Sequence, residues 1–306
     1  MLLAAPLNVE ILHALEQGPL PLRDLRNEVG VPPQSTMRLY LRTLTRLGAI
    51  ERRSRSELPA STEYHITQLG RNLLRVENVV QAWLQAAPAG AKELGSTAAK
   101  SAIKALVEGW SSQIIQILAA RPLSLTELNG LIPRISYPSL ERRLAAMREC
   151  SMVEAQRGPG RLRPYRVTHW LRQAVAPVTA AIAWERTHAP AQTTGVGRLD
   201  VEAALLLAIP MLDLPKAVDG KCRLAVEMHD GALPVYAGVL VCVEEGIVTS
   251  CTAGLKGEAE AWVSGKPLAW IQQINGAPEA NLELGGDHAL ARGVVEALGR
   301  TSSKPI

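Results

Sequence analysis

Ser35-Thr36-Met37-Arg38-Leu39-Tyr40-Leu41-Arg42-Thr43-Leu44-Thr45-Arg46-Leu47-Gly48 is the stretch whose reading decides the fold. Met37, Leu41 and Leu44 recur at helical spacing and form a face to be buried, which turns Arg38, Arg42, Thr45 and Arg46 outward. Gly48 ends the helix, as a C-terminal glycine does. Upstream, Val9, Ile11, Leu12 and Leu15 make a helical stripe that Gly18-Pro19 stops, and Leu22, Leu25 and Val29 mark a second short helix. Downstream, strands over 49–53 and 63–67 flank a polar loop holding Arg55 and Pro59. Three helices and a hairpin predict a winged helix-turn-helix. In that arrangement the third helix fits the DNA major groove and offers its outer side chains to base edges, while basic flanks and the wing hold phosphates. The candidate DNA contacts here are Ser35, Arg38, Arg42 and Arg46 on the helix and Arg53 and Arg55 on the wing.

The chain then repeats itself. Pro19, Leu20, Leu22, Leu25, Leu41, Gly48, Ile50 and Glu51 align without a gap on Pro122, Leu123, Leu125, Leu128, Leu144, Ser151, Val153 and Glu154, at a constant offset of 103. After the hairpin the offset is 101, and Tyr64, Thr67 and Trp83 meet Tyr165, Thr168 and Trp184. A period of this kind signals tandem units. In the second unit Ile114, Ile115 and Leu118 give the first helix, Leu125 and Leu128 the second, and Ser136 is the expected N-cap before Leu140, Leu144 and Met147. Its hairpin, 152–157 and 162–167, turns at Gly158-Pro159-Gly160 and places Arg157, Arg161 and Arg163 around the tip. Arg38, Arg42 and Arg46 align on Glu141, Ala145 and Glu149, so two identical half-sites are not expected. The second helix keeps Tyr137, Ser139 and Arg142 near its start, suited to phosphate contacts and shape recognition. Arg143 flanks the buried face and reads as structural.

Trp110 with Ile114, Ile115 and Leu118, Pro122-Leu123, Glu127-Leu128, Ile135-Ser136, Leu140, Arg143-Leu144, Met152-Val153 and Tyr165-Arg166-Val167-Thr168 resemble the HxlR family of bacterial winged-helix transcriptional regulators, and the first unit does so more loosely. The resemblance spans 7–85 and 106–187. It implies double-stranded DNA as partner and two reading heads, here joined covalently as an intrachain pseudo-dimer. The cysteine that often precedes the first helix in redox-sensing members of that family is missing, which argues against thiol sensing. Each unit closes with a helix, 70–85 and 169–186. Trp83 and Trp184 at matched positions either cover their own cores or pair across a pseudo-twofold axis.

Net charge is distributed unevenly. Residues 1–90 carry +2, 91–190 carry +7 and 191–306 carry −5. Basic repeats suit a polyanion, whose binding releases counterions, and the acidic remainder suits something else. Four cysteines without a C-x-x-C pair and no secretory or lipidation signal suggest a reducing cytoplasm. The longest apolar run, 201–212, is interrupted by Glu202 and Pro210 and is too short to span a bilayer. Two stretches, 86–99 and 189–197, have the composition of linkers. The domains expected are therefore 1–88 and 100–188, both winged helices, and 199–300.

That third domain reads as a helix over 201–214, strands over 222–228, 236–244, 247–252 and 258–263, and helices over 268–274 and 287–298. Such a pattern predicts an antiparallel-sheet α+β domain. Ala261-Trp262-Val263-Ser264-Gly265-Lys266-Pro267-Leu268, followed by Leu282-Glu283-Leu284-Gly285-Gly286-Asp287 and Leu290-Ala291, resembles the sterol-carrier-protein fold. The resemblance implies a tunnel for a small apolar effector, with Trp262 and Trp270 as lining residues.

Enzyme chemistry finds no support in the motifs. There is no G-x-S-x-G, P-loop or H-E-x-x-H, and the six histidines lack metal-ligand spacing. No metal, cofactor or catalytic residue is expected. Tandem winged helices also occur in some DNA glycosylases, but the Q-x-Q pair of those enzymes is absent. A protein-binding scaffold would carry a neutral or apolar third helix, and Arg38, Arg42 and Arg46 argue against it. The reading is a cytoplasmic α+β regulator with two tandem winged helices, a C-terminal ligand sensor and scope to form a homo-oligomer.

Overall fold

The computed structural model describes residues 5–55, 61–107, 111–132, 135–156, 163–188, 198–230, 233–277 and 280–301. The chain folds as two compact units, the first comprising 1–85 with 92–100 and the second 86–91 with 101–306.

The first unit runs α1 (Pro6–Gln17), β1 (Leu20–Pro21), α2 (Leu22–Glu28), α3 (Gln34–Leu47), β2 (Ile50–Arg55), β3 (Ser61–Ile66) and α4 (Gln68–Gln85). Ile11, Leu12, Leu15, Leu25, Met37, Leu41, Leu44 and Ile50 are all buried and make one core. The strands form an antiparallel sheet in the order β1-β3-β2, with Leu20 opposite Tyr64 and Ile50 opposite Ile66. β1 is a two-residue strand beyond the reach of sequence periodicity. Gly48 takes the left-handed conformation that closes α3, at φ 82°. Thr67 ties the hairpin to that cap: its hydroxyl lies 2.6 Å from the Gly48 carbonyl and accepts the Gly70 N–H at the start of α4 at 3.2 Å.

The linker expected over 86–99 is more ordered than its composition suggests. Gln81 accepts the Leu94 N–H at 2.8 Å, and the Lys92 N–H donates to the Leu84 carbonyl at 3.0 Å. An additional helix, α5 (Thr97–Val107), begins there and buries Ala99, Ala102, Ala105 and Leu106. Small side chains give this stripe the look of a linker.

In the second unit α6 (Ser111–Ala120), α7 (Leu125–Leu131), α8 (Tyr137–Glu149), β4 (Val153–Ala155) and β5 (Tyr165–Val167) follow in the order of the first. The Thr67 device recurs. The Thr168 hydroxyl lies 2.8 Å from the Ser151 carbonyl and accepts the Leu171 N–H at 3.2 Å, while Ser151 takes the left-handed turn of Gly48 at φ 63°. Ser136 precedes α8 but makes no side-chain cap; its hydroxyl donates to Ser139 Oγ at 2.8 Å. The capping box lies instead on α7, between Ser124 and Glu127. The single terminal helix expected over 169–186 is split into α9 (His169–Gln173) and α10 (Val175–His188).

The C-terminal part contains α11 (Arg198–Ala208), a 3-10 turn (Ile209–Met211), β6 (Gly220–Asp230), β7 (Leu233–Glu244), β8 (Ile247–Ala253), β9 (Ala261–Gly265), α12 (Pro267–Ile274), β10 (Glu283–Gly286) and α13 (His288–Thr301). The sheet order is β10-β9-β6-β7-β8. The expectation of a purely antiparallel sheet is corrected here: β9 runs parallel to β6, pairing Leu224 with Val263. After β8 the chain crosses to the far side of β6 before re-entering, and a crossover connection produces a parallel pair. The pairing of β10 with β9 completes the sheet; Glu283-Leu284-Gly285-Gly286 is too short and glycine-rich to read as a strand.

α11 joins the two parts of this unit. Residues 201–208 are buried on every side, and the helix packs on α6 and α9 as well as on β7 and α12. Polar bonds reinforce the join: Glu202 accepts from both Gln116 Nε2 and the Gly238 N–H, Arg172 Nη1 donates to the Leu206 carbonyl at 2.9 Å, and Asn275 Nδ2 donates to the Thr179 carbonyl at 3.0 Å. The tether read over 189–197 lies outside the described residues.

Candidate nucleic-acid interface

α3 presents a basic face because its other face is committed. Met37, Leu41 and Leu44 are buried, whereas Ser35, Arg38, Arg42, Thr45 and Arg46 are exposed. Arg38, Arg42 and Arg46 follow at intervals of four and drift slowly round the helix, forming a cationic stripe about 12 Å long at a 1.5 Å rise per residue. Leu39 sits beside this stripe and is 57% exposed, an apolar side chain that the sequence pattern does not assign to the site. A thymine methyl group is the natural contact for such a residue in a major groove.

The first wing is less available than its sequence suggests. Arg53 forms an ion pair with Glu51 on the same strand, and Arg52 Nη2 lies 3.4 Å from Thr62 Oγ1. Part of the charge of Arg53 is thus answered within the strand. Arg55 ends β2, and the loop tip over 56–60, with Pro59, lies outside the described residues.

α8 differs in character. Tyr137, Glu141, Arg142, Ala145 and Glu149 are exposed and Ser139 is half-buried, so acidic and basic groups alternate where α3 offers arginine alone. The wing beside it pairs Arg166 with Glu154, Nε to Oε1 at 2.6 Å, and Arg148 at the end of α8 stands with its guanidinium 5.9 Å from the Tyr165 ring centre on the wing. Arg163 is exposed, while Arg157 and Arg161 lie outside the described residues.

The two tryptophans assigned to an effector tunnel are separated. Trp270 is fully buried on the helix-covered side, and its indole N–H donates to the Ala225 carbonyl at 3.0 Å, which makes it a core residue. Trp262 is 40% exposed and points to the opposite side of the sheet, since Ala261 and Val263 on either side of it are the buried members of β9. Its ring lies flush against Gly285, where a Cβ would collide with it. The two cannot line one tunnel.

Two of the four thiols, Cys222 and Cys251, are chemically quiet. Burial pushes Cys222 and Cys251 up to about 12, with Arg172 partly opposing the shift at Cys251. Among the described residues no cluster of His, Cys, Asp or Glu could hold a metal, and no helix is long and apolar enough to cross a membrane.

A three-helix core, an exposed basic face on the third helix and a hairpin define an N-terminal helix-turn-helix domain. Residues 3–89 match the family model for the HxlR-like helix-turn-helix. No curated protein matches the chain.

Proposed function

We propose that this chain is a DNA-binding transcriptional regulator whose principal reading helix is α3, with the α6–β5 region as a further winged helix that contacts DNA. The observation that carries the reading is the stripe of Arg38, Arg42 and Arg46, exposed on a helix whose opposite face is locked into the core. Such a helix holds fixed the backbone from which its arginines project, so that they can reach base edges as bidentate contacts to guanine require. The repeated Thr67 and Thr168 anchors and the shared element order support the tandem winged-helix reading, and two heads in one chain would serve as a pseudo-dimer on an asymmetric operator. The mixed charge of α8 fits phosphate contact and shape recognition better than base reading.

The C-terminal sheet fits the role of effector domain because α11 is shared between it and the α6–α10 region, so a ligand favouring one packing of α11 would bias that head. Trp262, exposed on the open side of the sheet, is the candidate contact for a small apolar molecule.

Affinity for duplex DNA from upstream of the chain's own gene, compared with a scrambled duplex across a salt series, tests the reading. Arg42→Ala should weaken binding by about 1–3 kcal/mol and relax sequence preference. Equal and weak binding to both duplexes, unaltered by Arg42→Ala, would overturn it in favour of a protein-binding scaffold.

A further inference from the structure

We infer that Leu39 is a specificity-determining residue of α3, which reads the C5-methyl group of a thymine close to the guanine taken by Arg42, and that this methyl reading belongs to the first head alone. The role rests on the DNA-binding reading of α3. Among the described residues of the first unit, Val31 and Leu39 are the large apolar side chains left exposed, at 54% and 57%. Both lie at the leading end of the cationic helix: Val31 in the turn before Gln34 opens α3, and Leu39 in the second helical turn. One exposed leucine is ordinary on a protein surface. Two such side chains gathered at the end of the helix that enters a major groove first are placed for contact with bases.

Helical geometry puts Leu39 in the middle of the outward face. At 3.6 residues per turn it stands about 20° from Arg46, about 40° from Ser35 and about 60° from Arg42 round the axis, and about 160° from Met37 and Leu41. Met37 and Leu41 are buried, so Leu39 points away from the core. A leucine neither donates nor accepts a hydrogen bond, and the apolar group that base edges offer in the major groove is the thymine methyl. Arg42 follows about 4.5 Å further along the axis, and base pairs repeat at about 3.4 Å, so thymine and guanine lie within about two base pairs of each other.

The turn before α3 is held in a strained form. Val31 has φ 56°, a left-handed conformation that β-branched residues rarely adopt. Its N–H donates to the Arg26 carbonyl at 2.9 Å, and Arg26 Nε donates to the Pro32 carbonyl at 2.7 Å. Such strain is characteristic of functional segments. The second head lacks the device: at the repeat offset of 103 the counterpart of Leu39 is Arg142. The methyl contact therefore marks one half of the operator and fixes the direction in which the two heads lie on it.

The test selects duplexes from a random-sequence pool with the full-length protein, with Leu39→Ala and with Arg42→Ala, both exchanges being at exposed positions and introducing a strong helix former. Each thymine of the best wild-type duplex is then replaced singly by uracil, which removes the methyl and leaves the hydrogen-bonding edge intact. Wild-type affinity should fall about three- to five-fold at one or two positions, within two base pairs of the guanine whose preference Arg42→Ala loses. Leu39→Ala should be indifferent to those positions, should enrich the same guanine without the thymine, and should keep the wild-type salt slope because no phosphate contact is lost. A wild-type loss below about three-fold at every thymine, or the same loss in Leu39→Ala, would overturn the role of Leu39 while enrichment of the guanine upholds the DNA reading. Unchanged selection by Leu39→Ala with a lowered sedimentation coefficient would place a protein on this face and overturn it equally. Failure of the wild type to enrich any sequence removes the DNA reading and the role of Leu39 with it.

Discussion

Single side chains at Glu202 and at the cysteines show how chemistry follows burial. Glu202 is 1% exposed and accepts from Gln116 on α6 and from the Gly238 N–H on β7. Gly238 itself is fixed by sterics, since a Cβ there would collide with the Leu224 carbonyl oxygen. Glu202→Ala strands the buried Gly238 N–H, at a cost of about 1–3 kcal/mol, and the half-buried Gln116 amide, at less. Its denaturation midpoint should fall accordingly, whereas Glu202→Gln should lose no more than about 1 kcal/mol, because a carboxamide still accepts the Gly238 N–H and can donate to a flipped Gln116. Equal losses in the two variants would show that the carboxylate charge, and not the bond pattern, matters. For the thiols, burial keeps Cys222 and Cys251 protonated at neutral pH, so a thiol reagent at mildly alkaline pH should label them only at the rate of unfolding. The half-buried Cys242 should react first.

At the scale of elements, the sequence reading survives where periodicity and caps carry the information. Met37, Leu41 and Leu44 specify α3 almost to the residue, and Gly48 specifies its end. What escapes the sequence depends on partners distant in the chain. β1 and β10 exist because β3 and β9 offer them edges, and α5 buries small residues that look like linker. The basic stripe of α3 is legible because an arginine opposite a buried face must be exposed. The pairing of Arg53 with Glu51 and the separation of Trp262 from Trp270 are hidden, because they depend on local geometry and on which sheet face the helices cover. The α7 capping box yields a pH test. Hydrogen bonds from the Ser124 hydroxyl and backbone N–H hold the Glu127 carboxyl below its usual range. A lowered folded-state pKa gives stability that is present above the ordinary carboxylate range and is lost as pH falls through the lowered value. Glu127→Gln should therefore be less stable than the parent at neutral pH and should converge with it in acid; a gap that persists at low pH would assign the effect to packing.

At the scale of the whole molecule, the central fact is that α11 has no solvent face along 201–208. A helix apolar all round is stable only between two partners, and its partners here are α6 and α9 on one side and the β6–β8 sheet and α12 on the other. The C-terminal sheet is therefore completed by the repeat region before it, and the expected boundary between 100–188 and 199–300 crosses a continuous core. Thr179 with Asn275, and Arg172 with Leu206, bind the same surfaces with polar groups that would otherwise be buried unpaired. Calorimetry should accordingly resolve at most two cooperative transitions, one for the first unit and one for the whole of the second. A chain truncated after residue 188 exposes the faces of α6 and α9 that α11 covers and should lose the second transition, while the first, with its separate core of Ile11, Leu12, Met37 and Leu44, keeps its midpoint. A third transition belonging to residues 198–301 alone, or a truncated chain whose second repeat still melts cooperatively, would contradict a shared core. Coupling between the sheet and the α6–α10 region is strongest if they melt together, because an α11 that cannot be released by one partner without loss to the other transmits any change in its packing.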